Sequence, residues 1–95
     1  MKTELLSAML DGQKGVRKDG GAYVLDESIH ATFFVGGSVE VMSVQRVLRV
    51  DLGRETCALT TAKHERFFFP VEAILGFKLE ESPEKARTPG GAGFR

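Results

Sequence analysis

The sequence has one cysteine, Cys57, and only two histidines, His30 and His64, among its 95 residues. A single cysteine excludes an internal disulfide framework and is typical of a reducing compartment. Neither histidine has a second ligand at metal-binding spacing, so both are interpreted as solvated surface residues. The sequence therefore predicts neither a disulfide-stabilised scaffold nor a metal site.

The chain also lacks an excess of charge of either sign, because 13 basic residues balance 13 acidic residues. A formal net charge of zero argues against a strong whole-molecule attraction to nucleic acid or to a membrane surface. The apolar runs are far too short to span a bilayer, and the first ten residues lack the pattern of a signal peptide. We therefore expect a cytoplasmic protein without a membrane partner.

Catalytic motifs are missing as well. The three glycine pairs lack the Lys-Ser/Thr ending of a phosphate-binding loop. Cys57 lies within a predicted strand without a histidine in register, which favours a buried structural thiol over a nucleophile. We expect a protein that is not an enzyme and uses no cofactor. An enzyme whose catalytic site is shared between subunits ranks third among the hypotheses for function.

What is present is an ordinary globular composition, with 42% hydrophobic and 27% charged residues, in a chain long enough for one domain. We expect a single β-rich domain over residues 1–80. Residues 1–12 contain a predicted helix, Thr3–Leu10, which Thr3 caps and Gly12 ends. Residues 13–21 are interpreted as a polar linker, and residues 81–95 as a flexible tail.

Alternating apolar residues predict a series of strands. These are Ala22–Leu25, Ile29–Val35, Val39–Leu52, Glu55–Ala62, Glu65–Pro70 and, after one helical turn at Val71–Ala73, Leu75–Leu79. Because the third run is long for a single strand, a bulge is expected near Met42–Val44.

Two short turns, Gly53-Arg54 and Lys63-His64, set the expected register of the central meander. With two-residue turns, Val50 lies opposite Cys57 and Leu59 lies opposite Phe68. One face then carries the predicted core, which comprises Leu48, Val50, Cys57, Leu59 and Phe68. The other face carries Val47, Arg49, Ala58, Thr60, Phe67 and Phe69.

The bent meander, single helical turn and short last strand resemble the ending of small five-stranded barrels of the Sm-like or Src-homology type. The resemblance covers Ile29–Leu79 and concerns architecture alone. It implies a mainly β fold: a small, strongly bent antiparallel sheet or partly open barrel with a short N-terminal helix.

The surplus apolar face favours a non-catalytic, self-associating module. We expect Val47, Arg49, Phe67 and Phe69 to form its interface, since a thin core and an exposed apolar stripe are often resolved by oligomerisation. Such a homo-oligomer would act as an adaptor or regulator that binds a protein or peptide partner.

The alternative hypothesis is binding of single-stranded RNA or DNA. Arginine beside aromatic residues on a sheet is typical of platforms that stack bases and contact phosphates. The expected contacts are Arg46, Arg49, Lys63 and Arg66. The zero net charge makes this the less favoured hypothesis.

Overall fold

A computed structural model describes residues 1–37 and 39–81. It contains one helix and seven strands. They are α1 (Thr3–Asp11), β1 (Val16–Asp19), β2 (Ala22–Leu25), β3 (Ile29–Gly36), β4 (Val41–Leu52), β5 (Thr56–Thr61), β6 (Arg66–Pro70) and β7 (Ile74–Glu81), with a 3₁₀ turn at Val71–Ala73 before β7. The predicted fold class, a mainly β, strongly bent sheet with a short N-terminal helix, is confirmed. The predicted tail lies outside the described residues, apart from Glu81, which ends β7.

The strands form one antiparallel sheet that curls into a half-barrel around β4. On one edge of β4, β3 pairs with its first half and β2 with its second half. On the other edge, β5 pairs only with the second half. β1, β7 and β6 extend the sheet from β2, β3 and β5 respectively.

The core lies on the concave face of this sheet. Leu6 and Leu10 of α1 are fully buried and join the same apolar cluster as Phe33, Leu59 and Ile74. Each such leucine contributes about 1.5–3 kcal/mol through burial of its apolar surface. The helix therefore covers part of the concave face with its own apolar side.

The start of α1 differs from the expectation, because Thr3 does not cap it. Lys2 occupies the N-cap position without a side-chain hydrogen bond. The Thr3 hydroxyl donates instead to the carbonyl oxygens of Gly53 and Arg54, at 3.2 and 3.0 Å. A tertiary contact with the β4–β5 turn thus uses the hydroxyl that local capping would need.

The β4–β5 turn lies one residue later than predicted. The Gly53 N–H donates to the Thr56 carbonyl at 2.8 Å, so Arg54 and Glu55 form the two-residue loop. Val50 consequently lies opposite Leu59 rather than Cys57. This corrects the register by two residues, and an even shift leaves Val50, Cys57 and Leu59 on their expected face. Leu48, which was also expected in the core, is only half-buried.

The β5–β6 turn has three residues, Ala62–His64, instead of the predicted two. His64 adopts a left-handed conformation with φ 66°, and the Thr61 N–H donates to the Glu65 carbonyl at 2.9 Å. This is the hairpin type in which a type I turn is followed by a left-handed residue. The extra residue places Leu59 opposite Phe67, and an odd shift exchanges the faces of β6.

Two bulges in β4 also change which residues face the core. The register with β3 shifts between Ala31 and Phe33, and the register with β5 shifts between Val47 and Arg49. The distortion thus lies just after the predicted site at Met42–Val44. Because a bulge adds a residue to one strand, Val44, Val47 and Val50 all point inward at intervals of three.

The predicted linker contains a strand. β1 pairs with β2 through a hairpin at Gly20-Gly21, where Gly20 has φ 64°. Three of the four β1 side chains are exposed, so the segment shows no apolar alternation. An exposed edge strand of this kind gives little sequence signal, which is why the segment was interpreted as a linker.

Candidate functional site: the free edge of β4

The first half of β4, Val41–Gln45, has one paired edge and one free edge. β3 pairs with it on one side, but no strand of the described residues pairs with it on the other. Pairing of β4 with the β5–β6 hairpin stops at Arg46, whose carbonyl accepts a hydrogen bond from the Ala62 N–H at 2.9 Å. The free edge therefore ends at the hairpin.

The backbone groups along this edge face outward in alternation. The Gly37 N–H donates to the Glu40 carbonyl at 2.9 Å, which identifies the residue pairs that exchange hydrogen bonds between β3 and β4. In an antiparallel pair, every second residue faces the partner strand. Met42 and Val44 thus face β3, whereas Val41 and Ser43 present their N–H and C=O groups to the free edge. Such a row of unpaired groups is a template for another strand.

A groove of about 580 Å³ lies beside this edge, between β4 and the β5–β6 hairpin. Its apolar lining includes Met42 and Phe67, which are 44% and 36% exposed. Phe67 stacks on Phe69 with ring centroids 6.4 Å apart. An unpaired strand edge and an accessible apolar surface are therefore adjacent, the combination that strand-addition sites use.

The four predicted interface residues do not share one face, and this part of the prediction was wrong. Val47 is fully buried in the core, because the bulges in β4 turn it inward. Arg49 lies on the convex face, whereas Phe67 and Phe69 lie on the concave side with Leu59 and Cys57. Only Phe67 lines the groove. The role of these residues in binding stays a prediction.

Phe68, which was expected in the core, lies on the convex face and is 68% exposed. The three-residue loop before β6 causes this exchange. The Arg66 guanidinium lies 5.2 Å from the centre of the Phe68 ring. Phe68 is thus more exposed than Phe67, and a neighbouring arginine covers part of its ring.

The predicted nucleic-acid contacts are not assembled into one platform. Arg46 and Lys63 line the groove, whereas Arg49 and Arg66 lie on the convex face. There Asp51 contacts both arginines, at 3.1 Å from Arg49 and 3.6 Å from Arg66. The hydrogen bond and charge of Asp51 raise the pKa of Arg49 further above its usual value. Much of the positive charge on this face is therefore balanced.

The cysteine and one of the histidines are placed as expected. Cys57 is buried and free, as predicted, and burial together with the charge of Asp51 raises the pKa of its thiol to about 11. The neutral thiol is a poor nucleophile. His64 is exposed in the β5–β6 turn.

His30 is the exception, because it is buried rather than solvated. The sequence places it at an alternate, polar position of β3, which suggested solvent. In the structure, β4 and β7 flank β3 on both sides, and side chains of both strands line the same cavity as His30. No local signal in the sequence reports this enclosure.

Comparisons with protein-family models, curated proteins and solved structures found no match. The described part of the chain has no helix of the length and apolarity needed to cross a membrane. Over the same residues, no cluster of three or more His, Cys, Asp or Glu residues is arranged to hold a metal ion.

Proposed function

We propose that this protein is a non-catalytic, self-associating β module in which two copies pair through the free edge of β4. The observation that carries the proposal is the unpaired Val41–Gln45 edge beside the apolar groove. Natural proteins protect such edges with charges or prolines. This stretch has neither, so the edge is open to another strand.

The backbone of this edge is suited to pairing with itself. An antiparallel pair centred on Ser43 places Val41 opposite the partner's Gln45. The residues that face the free edge then meet one another, with about two hydrogen bonds for each facing pair. A two-fold symmetric contact of this kind is closed, because each copy uses the same patch.

The side chains in this register are complementary as well. Met42 lies opposite the partner's Val44, which joins two apolar side chains on the concave face. Glu40 and Arg46 lie outside the paired stretch, because the Arg46 carbonyl already accepts a hydrogen bond from the Ala62 N–H. Apolar side chains that lie opposite one another across a strand pair favour one register over its neighbours.

The consequence for function is a two-fold sheet that joins two half-barrels. Such an assembly presents two copies of every outward surface, which suits an adaptor or regulator that binds a protein or peptide partner with two identical sites. Once one site of the dimer is occupied, the second site meets its partner at a high effective concentration. The overall affinity therefore rises without any new contact.

The decisive experiment uses proline at the centre of the edge. Ser43→Pro removes an N–H that faces the free edge and not β3, so the fold of one copy should survive. We expect the wild-type protein to have a dimer mass by light scattering, and Ser43→Pro to have a monomer mass with an unchanged circular dichroism spectrum. Ser43→Ala keeps the N–H and is the matched control, which should stay dimeric.

Two outcomes would overturn the proposal. One is a monomeric wild-type protein at micromolar concentration. The other is a folded Ser43→Pro variant that keeps the dimer mass, since an interface elsewhere would not depend on this N–H.

A further inference from the structure

A second cavity, of about 280 Å³, lies on the convex face where β3, β4 and β7 run side by side. The polar side chains that line it include His30, Thr32, Ser43, Gln45, Arg46 and Lys78. The cavity shares Ser43, Gln45 and Arg46 with the groove, so the two adjoin at β4, but only this cavity includes His30 and residues of β7. The self-association proposed above does not account for it.

His30 is the most informative residue of this cavity. Its side chain is buried, with the residue only 9% exposed, and neither Nδ1 nor Nε2 has a hydrogen-bond partner among the described residues. Buried polar atoms in folded proteins nearly always have a partner, and each exception calls for an explanation. A neutral imidazole carries one donor and one acceptor. Because both nitrogens are buried, a ligand in the cavity satisfies one of them only when the neighbouring side chains move to admit it.

The charges around His30 favour an anion. Arg46 from β4 and Lys78 from β7 both line the cavity, and the side chain of Arg46 forms no ion pair with any described residue. The acidic residue facing His30 is Glu80, its register partner on β7. Glu80 is itself paired with the Lys78 ammonium at 3.3 Å. The cavity is thus lined by two positive charges, on Arg46 and Lys78, and one negative charge, on Glu80.

The backbone of β4 is distorted where it borders this cavity. Arg46 has φ 60°, a conformation that non-glycine residues adopt rarely and at a cost. The bulge that contains it lies opposite Thr32, in the same cavity. Bulges commonly redirect a side chain at a functional site. The distortion thus coincides with the one place on the convex face where the buried histidine and two cations meet.

We propose that the cavity between β3, β4 and β7 binds a small phosphate-bearing ligand, with His30 and Arg46 as its principal contacts. The guanidinium of arginine donates two parallel hydrogen bonds to phosphate oxygens, and the hydroxyl groups of Thr32 and Ser43 add neutral donors. The His30 N–H then donates to the same oxygens. The class of ligand is inorganic phosphate or a phosphate monoester of small size.

The two histidines allow a direct test by nuclear magnetic resonance. We expect titration of the wild-type protein with millimolar inorganic phosphate to shift the ring signals of His30 and to leave those of His64 in place. Titration with glycerol phosphate distinguishes a monoester from free phosphate as the better ligand. Acetate at the same ionic strength is the control for general salt effects.

Variants in β7 test whether the charges of the cavity control the affinity for phosphate, and they leave the edge of β4 unchanged. Lys78→Gln should weaken phosphate binding by about tenfold or more, because it leaves the Glu80 charge unbalanced in the cavity. Glu80→Gln should strengthen binding, and Lys14→Gln, an exposed lysine outside the cavity, should leave it unchanged. The molar mass of each variant is also measured by light scattering, so that a loss of dimerisation is distinguished from a loss of phosphate binding.

The proposal is overturned if phosphate shifts the His30 and His64 signals equally or not at all. It is also overturned if Glu80→Gln and Lys78→Gln leave the affinity unchanged, because the cavity charges would then play no part.

Discussion

The hydroxyl of Tyr23 lies 2.6 Å from the hydroxyl of Ser7 and so ties β2 to α1. The same phenol donates to Asp11 at 3.1 Å, while its ring is almost completely buried. One phenol has a single proton, so the arrangement that satisfies all three groups has Ser7 donating to Tyr23 and Tyr23 donating to Asp11. The helix is thus held to the sheet by a short polar chain as well as by its leucines.

Removing this phenol should loosen the helix. We expect Tyr23→Phe to lower the free energy of unfolding by about 1–2 kcal/mol, because two partners lose a hydrogen bond in a partly buried site. Urea unfolding measures the change. In a double-mutant cycle with Ser7→Ala, the two losses should be less than additive. Strict additivity would contradict a shared hydrogen bond.

The left-handed conformation of His64 predicts a specific order of stabilities. His64→Gly should match or exceed the wild-type stability, whereas His64→Val should cost about 1 kcal/mol or more, since β-branched residues fit φ 66° poorly. Thermal unfolding gives the comparison. Lys63→Val, at the adjacent exposed turn residue, is the control for the added bulk. If valine is tolerated at position 64 as well as glycine, the three-residue loop is wrong.

The register of β6 predicts opposite results for two neighbouring phenylalanines. Phe69 packs against the core, and Phe68 is largely exposed. Phe69→Ala should lower the free energy of unfolding by about 1–3 kcal/mol, and Phe68→Ala by no more than about 1 kcal/mol, including its contact with Arg66. Urea unfolding of the two variants decides the register. If Phe68→Ala were more destabilising than Phe69→Ala, the two-residue turn expected from the sequence would be correct instead.

The thiol of Cys57 predicts a loss of stability at alkaline pH. Its pKa is raised from 9.0 to about 11 in the folded protein. Between these values the unfolded chain releases the proton while the folded chain keeps it, so stability falls as the pH rises through this window. Cys57→Ala should show a smaller fall than the wild type when urea unfolding is compared at neutral pH and within the window. Equal falls in both proteins would contradict the raised pKa.

The contacts of Asp51 predict weak affinity for nucleic acid. Because Asp51 engages both Arg49 and Arg66, we expect no salt-dependent binding of a single-stranded oligonucleotide, measured by fluorescence anisotropy. The ultraviolet spectrum is a simple check, because the chain has no tryptophan and one tyrosine. Binding that falls steeply with salt, and that Arg49→Gln weakens, would revive the alternative hypothesis.

Features that depend on near neighbours in the chain were predictable. The spacing of Leu5, Leu6, Met9 and Leu10 predicted one apolar flank of α1, of which Leu6 and Leu10 are buried whereas Leu5 is 54% exposed. The alternation of Ile29–Val35 predicted β3. Val50, Cys57 and Leu59 were placed correctly in the core, because an even shift in register does not change a face. The helical turn at Val71–Ala73 followed from Pro70 and was also confirmed.

The composition and periodicity of the chain thus determined its class: one helix and a strongly bent sheet with a thin core. The tertiary structure decided every feature that a single added residue in a turn or a bulge can change. A third residue in the loop at His64 moved Phe67 and Phe69 to the concave side, and bulges in β4 turned Val47 inward. The free edge of β4 and the enclosure of His30 arise from strands distant in sequence. Local propensity cannot report them, because both depend on which strands lie side by side and where their pairing stops.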